Sequence, residues 1–487
     1  DLLEQTAVRR SRYDVKKRIE AGEKVTLPGK GEIHFPERKL QAIDYDLEKT
    51  YKGFYEEIAS QIEQLSLVSY NIEAFKLQAD KNEIERNNAL IGILKTTFLK
   101  RLESSLRAFE VSVERQRKFQ RRFFNLLQEG RLLDSPSHRK ILALEDEGEE
   151  AAVDELVASL PDVSAFEYDL PAIRERLEAD IRALDDILGW ARIVREESRD
   201  EYGQDAKLAE FKSKLAGELM GQKTLVFTYY EDTARYLFEK LSTDVDWLAR
   251  AGNPSIGLIS GKTDPHGRES IVRRFAPLAN APVDPSTGIS DERELQKLRA
   301  EEIQILISTD VLSEGQNLQD AGVLINYDLH WNPVRMIQRA GRIDRLGTTF
   351  KALSIYNCFP EKGLESLLRL VERLQQRIRD IDRTVGLDAS VLGEIIHPKS
   401  LDELKRIKAG ENQVMDELER ASELLSADEM KLPLLMYLQA VGAEKMGEIP
   451  VGIHSVKRSY IPGIFFAFRA RERHFWRFYP SDSSKPI

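Results

Sequence analysis

With 487 residues, 41% of them apolar and 32% charged, the chain exceeds one hydrophobic core and predicts two or three domains with long solvent-facing helices. A net charge of −10 argues against a generally basic coat for nucleic acid and leaves a local basic track open. The single Cys358 excludes an intrachain disulfide framework, and with no signal peptide or apolar run of bilayer length a cytoplasmic protein without a membrane partner is expected.

The first residues, DLLEQTAVRRSRYDV, lack an initiator methionine and start inside an apparent helix, so the chain reads as a fragment. That helix carries Arg9, Arg10 and Arg12 and leads through a Gly/Pro turn into GEIHFPERKLQAIDYDL. From 47 to 219 apolar residues recur at helical spacing on a charged background, which predicts a large helical region. Within it the acidic stretch 144–155 reads as a surface excursion. Arg115, Arg117, Lys118, Arg121 and Arg122 read as a solvated helix face ahead of a nucleic-acid track.

Strand, polar loop and amphipathic helix then repeat in KTLVFTYYEDTARYLFEKL (223–241) and GLISGKTDPHGRESIVRRF (257–275). Gly261-Lys262-Thr263 imitates a phosphate loop and is rejected as one: Ile256 stands where the pattern needs glycine, and Asp264-Pro265 do not open a helix in the phosphate-loop manner. Residues 277–296 read as a Pro/Ser/Asp loop.

The densest pattern runs from Ile305 to Gly347. Ile305–Ser308 and Val323–Asn326 are apolar runs of strand length bounded by turn residues, as in a parallel sheet covered on both faces, so functional groups belong at their carboxyl ends. Asn332 followed by Pro333 starts a helix that carries Gln338, Arg339, Arg342 and Arg345. Arg342 and Arg345 are three apart and can share a face, and two guanidiniums offer planar forks of permanent charge to a transferring phosphoryl group. KALSIYNCF gives another strand with Cys358 as a small apolar filler. A long charged helix covers 360–395, helices follow, and Arg469, Arg471 and Arg473 alternate in an aromatic, β-prone stretch that reads as one hairpin of an accessory sheet.

STDVLSEGQNLQ resembles motif V, and QRAGRIDRLG motif VI, of superfamily-2 helicases and translocases. NYDLHWNP between them resembles the Swi/Snf-like branch and its bacterial RapA/HepA-related members, in which a similar arginine helix and FPxR segment follow the first lobe. The resemblance implies an α/β fold: a RecA-like parallel sheet lobe at 220–359, a segment leading out of a missing first lobe at 1–46, a helical protrusion at 47–219, a brace helix at 360–395 and an incomplete helical and β accessory region at 396–487. It implies an ATP-dependent translocase on duplex DNA, sequence-independent, with a protein partner available to the protrusion or the C-terminal module. No GxxxxGK[ST] and no strand-terminal DExx occur, so ATP and Mg²⁺ would be held mainly by the missing lobe and this chain alone would be inactive.

Carried over by position, Arg342, Arg345 and Gln338 would face the reacting phosphate, with the arginines as fingers, and Gly315 and Asn317 would lie near the nucleotide. Thr309, Tyr229 and the Gly261-Lys262 turn would face nucleic-acid phosphates. Trp331 and Asn332 would couple nucleic acid to the cleft, Trp331 equally being an aromatic that packs on the missing lobe. Two other readings stay open: a non-catalytic scaffold docking a polymerase or defence-complex partner, and an RNA helicase, whose DEAD-box branch has His where Gln338 stands.

Overall fold

The computed structural model describes residues 36–51, 53–133, 167–197, 205–280, 292–312, 316–328, 333–344, 348–362, 371–374 and 398–415. A few isolated positions and the backbones of two hairpins complete the described set. The chain divides into two units, 36–414 and a second made of 1–35 with 415–487. In the second unit Thr26–Leu27 pairs antiparallel with Gly31–Glu32, and Gly463–Ala470 with Arg473–Pro480, the hairpin expected from the alternating C-terminal stretch. The arginine helix at 9–12, the acidic stretch 144–155 and most of the brace helix lie outside the described residues.

The unit 36–414 is organised by one alternating, charged run and five largely apolar ones. They form strands β1 (Glu37–Asp46), β2 (Thr224–Phe227), β3 (Ile256–Ile259), β4 (Ile305–Ser308), β5 (Val323–Asn326) and β6 (Ala352–Lys362). All pair in parallel in one six-stranded sheet of order β1-β6-β5-β2-β4-β3. Leu225, Val226, Phe227, Leu306, Ile307, Leu324 and Ile325 are wholly buried, each burial contributing about 1.5–3 kcal/mol. Parallel pairing with helices on the faces is the RecA-like α/β architecture expected.

One strand lies where the sequence reading does not put it. β1 falls in the segment assigned to the exit from another lobe, yet it pairs with β6 from Glu37 to Asp46 as an edge of this sheet. The reason is its alternation: Arg38, Leu40, Ile43 and Tyr45 are buried while Glu37, Lys39 and Asp44 are exposed, the pattern of a half-covered edge strand. Of the stretch 277–296 read as a loop, the described residues are helical, at Pro277–Asn280 and in Glu292–Ala300, the latter burying Leu295 and Leu298, while 281–291 lie outside the described residues.

The helical region contains α1 (Tyr55–Gln64), α2 (Lys81–Ser104), α3 (Leu106–Gln128), α4 (Leu170–Glu197) and α5 (Ala206–Ala216). Asp80, Ser105 and Asp205 cap α2, α3 and α5 by accepting hydrogen bonds from first-turn amides. Phe119, Phe123, Leu126, Leu127, Ile173 and Leu177 form a separate apolar cluster between α3 and α4. The basic run on α3 is tied down: Arg117 and Arg121 hold Asp185 of α4 at 3.0 and 2.7 Å, and Arg117 also holds Glu114 at 2.8 Å. Helices α6 (Glu231–Ser242), α7 (Pro265–Phe275) and α8 (Pro333–Ala340) follow β2, β3 and β5. No helix among the described residues is long and apolar enough to cross a membrane.

Candidate functional site

In a parallel sheet the loops leaving the carboxyl ends of the strands gather along one edge. Here the amide of Thr228 donates to Ser308, that of Thr309 to Ile259 and that of Tyr327 to Phe227, so the segments leaving β2, β4 and β5 stay in step past the last strand residue. Tyr229 stands in the first of them, half-exposed at 52%, with its ring edge-on to Tyr230 at 4.9 Å. Thr309, almost wholly buried, follows β4. Gly261-Lys262 follows β3. A Cβ at Gly261 would meet nothing within 4 Å, and the exposed Lys262 Nζ lies 3.5 Å from Glu231, the first residue of α6. The helix after this turn starts only at Pro265, capped by Asp264, so no helix N-terminus opens on Lys262 as in a phosphate loop. Tyr229, Gly261, Lys262 and Thr309 therefore share one edge of the sheet.

The second cluster is built on α8, which starts at Pro333 as its Asn-Pro signal predicts. Met336, Arg339, Ala340 and Ile343 are all buried at helical spacing, so an arginine occupies the apolar stripe. Its Nε donates to Asp310 at 2.7 Å and one Nη to Asn326 at 3.0 Å, while the guanidinium lies 5.1 Å from the centre of the Phe227 ring. Asn326 donates in turn to Asn357 on β6 at 2.8 Å. Arg339 thus bolts α8 to three strand ends, a role its charge alone does not announce.

The helix expected to carry both Gln338 and Arg342 ends at Ala340, before Gly341, so Gln338 stands on α8 and Arg342 in the turn that follows it. Arg342 is half-buried; its Nε donates to the Gln338 carbonyl at 3.2 Å, and its own carbonyl accepts from the Leu318 amide at 3.1 Å. That last bond brings the QNLQ segment beside the arginine-bearing turn. The Oδ1 of Asn317 and the Oε1 of Gln338 are buried, as is the second Nη of Arg339, and all three find no hydrogen-bond partner among the described residues. Unsatisfied polar atoms of this kind cost free energy unless a further group meets them. Arg345, Gly315, Trp331 and Asn332 lie outside the described residues. Among the described residues no cluster of His, Cys, Asp and Glu could hold a metal ion.

Two further residues hold this frame, Arg38 of the FPxR segment and Lys207, which no motif marks. Arg38 on β1 donates from Nε to Asp344 at 2.6 Å, with side chains 7% and 0% exposed, so the edge strand clamps the turn that follows Arg342. Lys207 at the start of α5 is buried against Glu103 at 2.7 Å, and Glu103 accepts from the Tyr45 hydroxyl at 2.9 Å. Burial works against the Lys207 ammonium, but the charges of Glu103 and Asp328 outweigh it and raise its pKa; burial raises that of the Glu103 carboxyl.

The helicase conserved C-terminal domain matches residues 287–347, the span that holds β4, β5, α8 and the arginine turn. That span is thus similar to a helicase conserved C-terminal domain, and it lies in the parallel α/β sheet. Among relatives, an uncharacterized ATP-dependent helicase of Bacillus subtilis, YqhH, is 40% identical over 93 residues, 19% of this chain and 16% of that protein. The ATP-dependent RNA helicase dbp8 of Aspergillus terreus is 24% identical over 197 residues, 40% of this chain and 35% of its own length. The C-terminal part of the Fun30 ATPase domain is a solved structure that the chain covers to 99%, over 80% of the chain, at 16% identity and a TM-score of 0.34. The chain thus spans 16% and 35% of the two curated relatives.

Proposed function

We propose that this chain supplies the second motor lobe of a Swi/Snf-like, RapA-related translocase that hydrolyses ATP while tracking duplex DNA. The observation that carries the reading is the juxtaposition of Asn317, Gln338 and Arg342 through the Leu318 to Arg342 backbone bond, with buried polar atoms of Asn317 and Gln338 that find no partner among the described residues. In this reading a partner lobe supplies the phosphate loop and the Mg²⁺ ligands. Arg342 and Arg345 stabilise charge on the transferring phosphoryl group, where arginine fingers contribute about 10³–10⁵ in rate. Tyr229, Thr309 and the Gly261-Lys262 turn contact nucleic-acid phosphates on the neighbouring edge, and Trp331 and Asn332 link the two regions. Phosphate contacts without base contacts make binding steeply salt-dependent and nearly indifferent to sequence.

The test is ATP hydrolysis by a protein that joins this chain to its first lobe, with duplex DNA, with single-stranded RNA and with neither, alongside Arg342→Ala and Arg345→Ala. Duplex stimulation, with kcat lowered about 10³-fold or more by each alanine, is the expected result. Stimulation by RNA alone would favour the reading raised by the dbp8 relatives. Turnover indifferent to both nucleic acids and to both alanines would leave a scaffold.

A further inference from the structure

The junction between two long helices of the protrusion, α2 and α3, falls at Ser104-Ser105, and both serines are buried against the sheet edge that carries Tyr229. Ser104 Oγ lies 2.6 Å from Thr233 Oγ1 and 2.8 Å from Asp328 Oδ1, and Ser105 Oγ lies 2.8 Å from Thr233 Oγ1. Asp328 Oδ2 accepts from the Thr228 hydroxyl at 2.6 Å and from the Tyr229 amide at 2.5 Å. Each hydroxyl has one proton and the carboxylate can only accept, which fixes the direction of every bond. The Ala108 amide donates to Ser105, Ser105 to Thr233, Thr233 to Ser104, and Ser104 to Asp328. A second strut runs beside this chain: Arg101, near the end of α2, pairs with Asp232 at 3.0 Å and lies 4.5 Å from the centre of the Tyr230 ring.

Such a chain is more than a helix cap. A cap is complete once Ser105 accepts from Ala108, and nothing in helix geometry asks the preceding serine to reach a carboxylate 224 residues away. The carboxylate it reaches also fixes the backbone amide of Tyr229, so the position of an exposed aromatic is set jointly by the strand end and by the helical junction. Buried directional networks have few alternative arrangements, which suits them to holding a loop in one place.

We infer that the Ser104-Ser105 junction and Asp328 are positioning residues for the nucleic-acid-facing loop, so that the helical protrusion sets the grip of the lobe on the phosphate backbone. The inference rests on the proposed nucleic-acid role of Tyr229. It requires no contact between the protrusion and nucleic acid, in keeping with the paired state of Arg117 and Arg121.

The experiment is fluorescence anisotropy of the whole chain on a mixed-sequence duplex at low salt, with Ser104→Ala, Tyr229→Ala and the double variant, each checked for an unchanged melting temperature. Tyr229→Ala is expected to weaken binding, and Ser104→Ala to weaken it roughly threefold to tenfold, the range that one net hydrogen bond commands. In the Tyr229→Ala background Ser104→Ala should add little, because both act through one loop. A second variant, Asp328→Asn, replaces one of two acceptor oxygens by a donor, so either Ser104 or the Thr228 and Tyr229 donors lose their acceptor, and it should weaken binding at least as far as Ser104→Ala. If Tyr229→Ala weakens binding while Ser104→Ala and Asp328→Asn leave it unchanged, or if the effects multiply, the coupling is overturned and the loop's role stands. If Tyr229→Ala itself has no effect, the role of the loop falls and the coupling with it.

Discussion

At the scale of single residues, the decisive distinction is between arginines that hold the frame and those that face outward from it. Arg339 is wholly buried between Asp310, Asn326 and the Phe227 ring, so its removal takes one donor from each of two polar partners. Arg339→Ala is expected to lower stability by about 3 kcal/mol, the low end for breaking a buried pair because Asp310 keeps some solvent. Lysine should not rescue it, since a point charge cannot reach two acceptors as a fork does. Urea unfolding checks this; a loss below about 1 kcal/mol for the alanine, or recovery by lysine, would contradict the bolt. The sequence shows Arg339 as one of several cations on a helix, yet the signal for burial is there. Met336, Ala340 and Ile343 mark the apolar stripe, and Arg339 stands on it. What spacing cannot show is the acceptor beneath: Asp310 and Asn326 are brought there only by parallel pairing of β4, β2 and β5.

At the scale of elements, apolar runs and helix signals were legible because their causes are local. β4 and β5 run over Ile305–Ser308 and Val323–Asn326, and α8 starts at Pro333, as read from strand length and the Asn-Pro pair. The Arg38 to Asp344 clamp was not legible, because a charged residue on an edge strand has no periodicity that names its partner. Helix pairing in the protrusion offers a test in pH. Burial works against the Asp185 carboxylate, but hydrogen bonds from Arg121 and Arg117 prevail and hold its pKa below the ordinary range. A depressed pKa contributes stability that is whole above the unfolded value, about 3.9, and is lost as pH falls through the folded one. The melting temperature of the native chain should therefore exceed that of Asp185→Asn by a constant margin from pH 8 to about 5, and the margin should close below about pH 4. A margin that widens in acid, or that is absent at pH 7, would show that the α3 to α4 pairing is held by its apolar cluster alone.

At the scale of the whole molecule, the unit 36–414 gains its sheet edge from residues far outside the helicase-like stretch. A chain of 36–414 should fold with one cooperative melt, whereas 47–414 should aggregate and bind a hydrophobic dye, since it strips β1 from β6 and leaves Asp344 buried without Arg38. Size-exclusion chromatography and dye fluorescence decide the matter; a monomeric 47–414 with an unchanged melting point would reduce β1 to an ornament of the edge. The pairing of β1 with β6 also has a consequence in time. β1 leaves the ribosome some 300 residues ahead of the strand it pairs with, as the 306-residue separation of Arg38 and Asp344 records. At about 5–20 residues per second that wait is on the order of 15–60 s, during which a nascent strand with unpaired amides has only solvent or a chaperone to cover it. The last strand made closes the sheet on the first, so a ribosome that stalls before residue 352 releases a sheet with β1 unpaired.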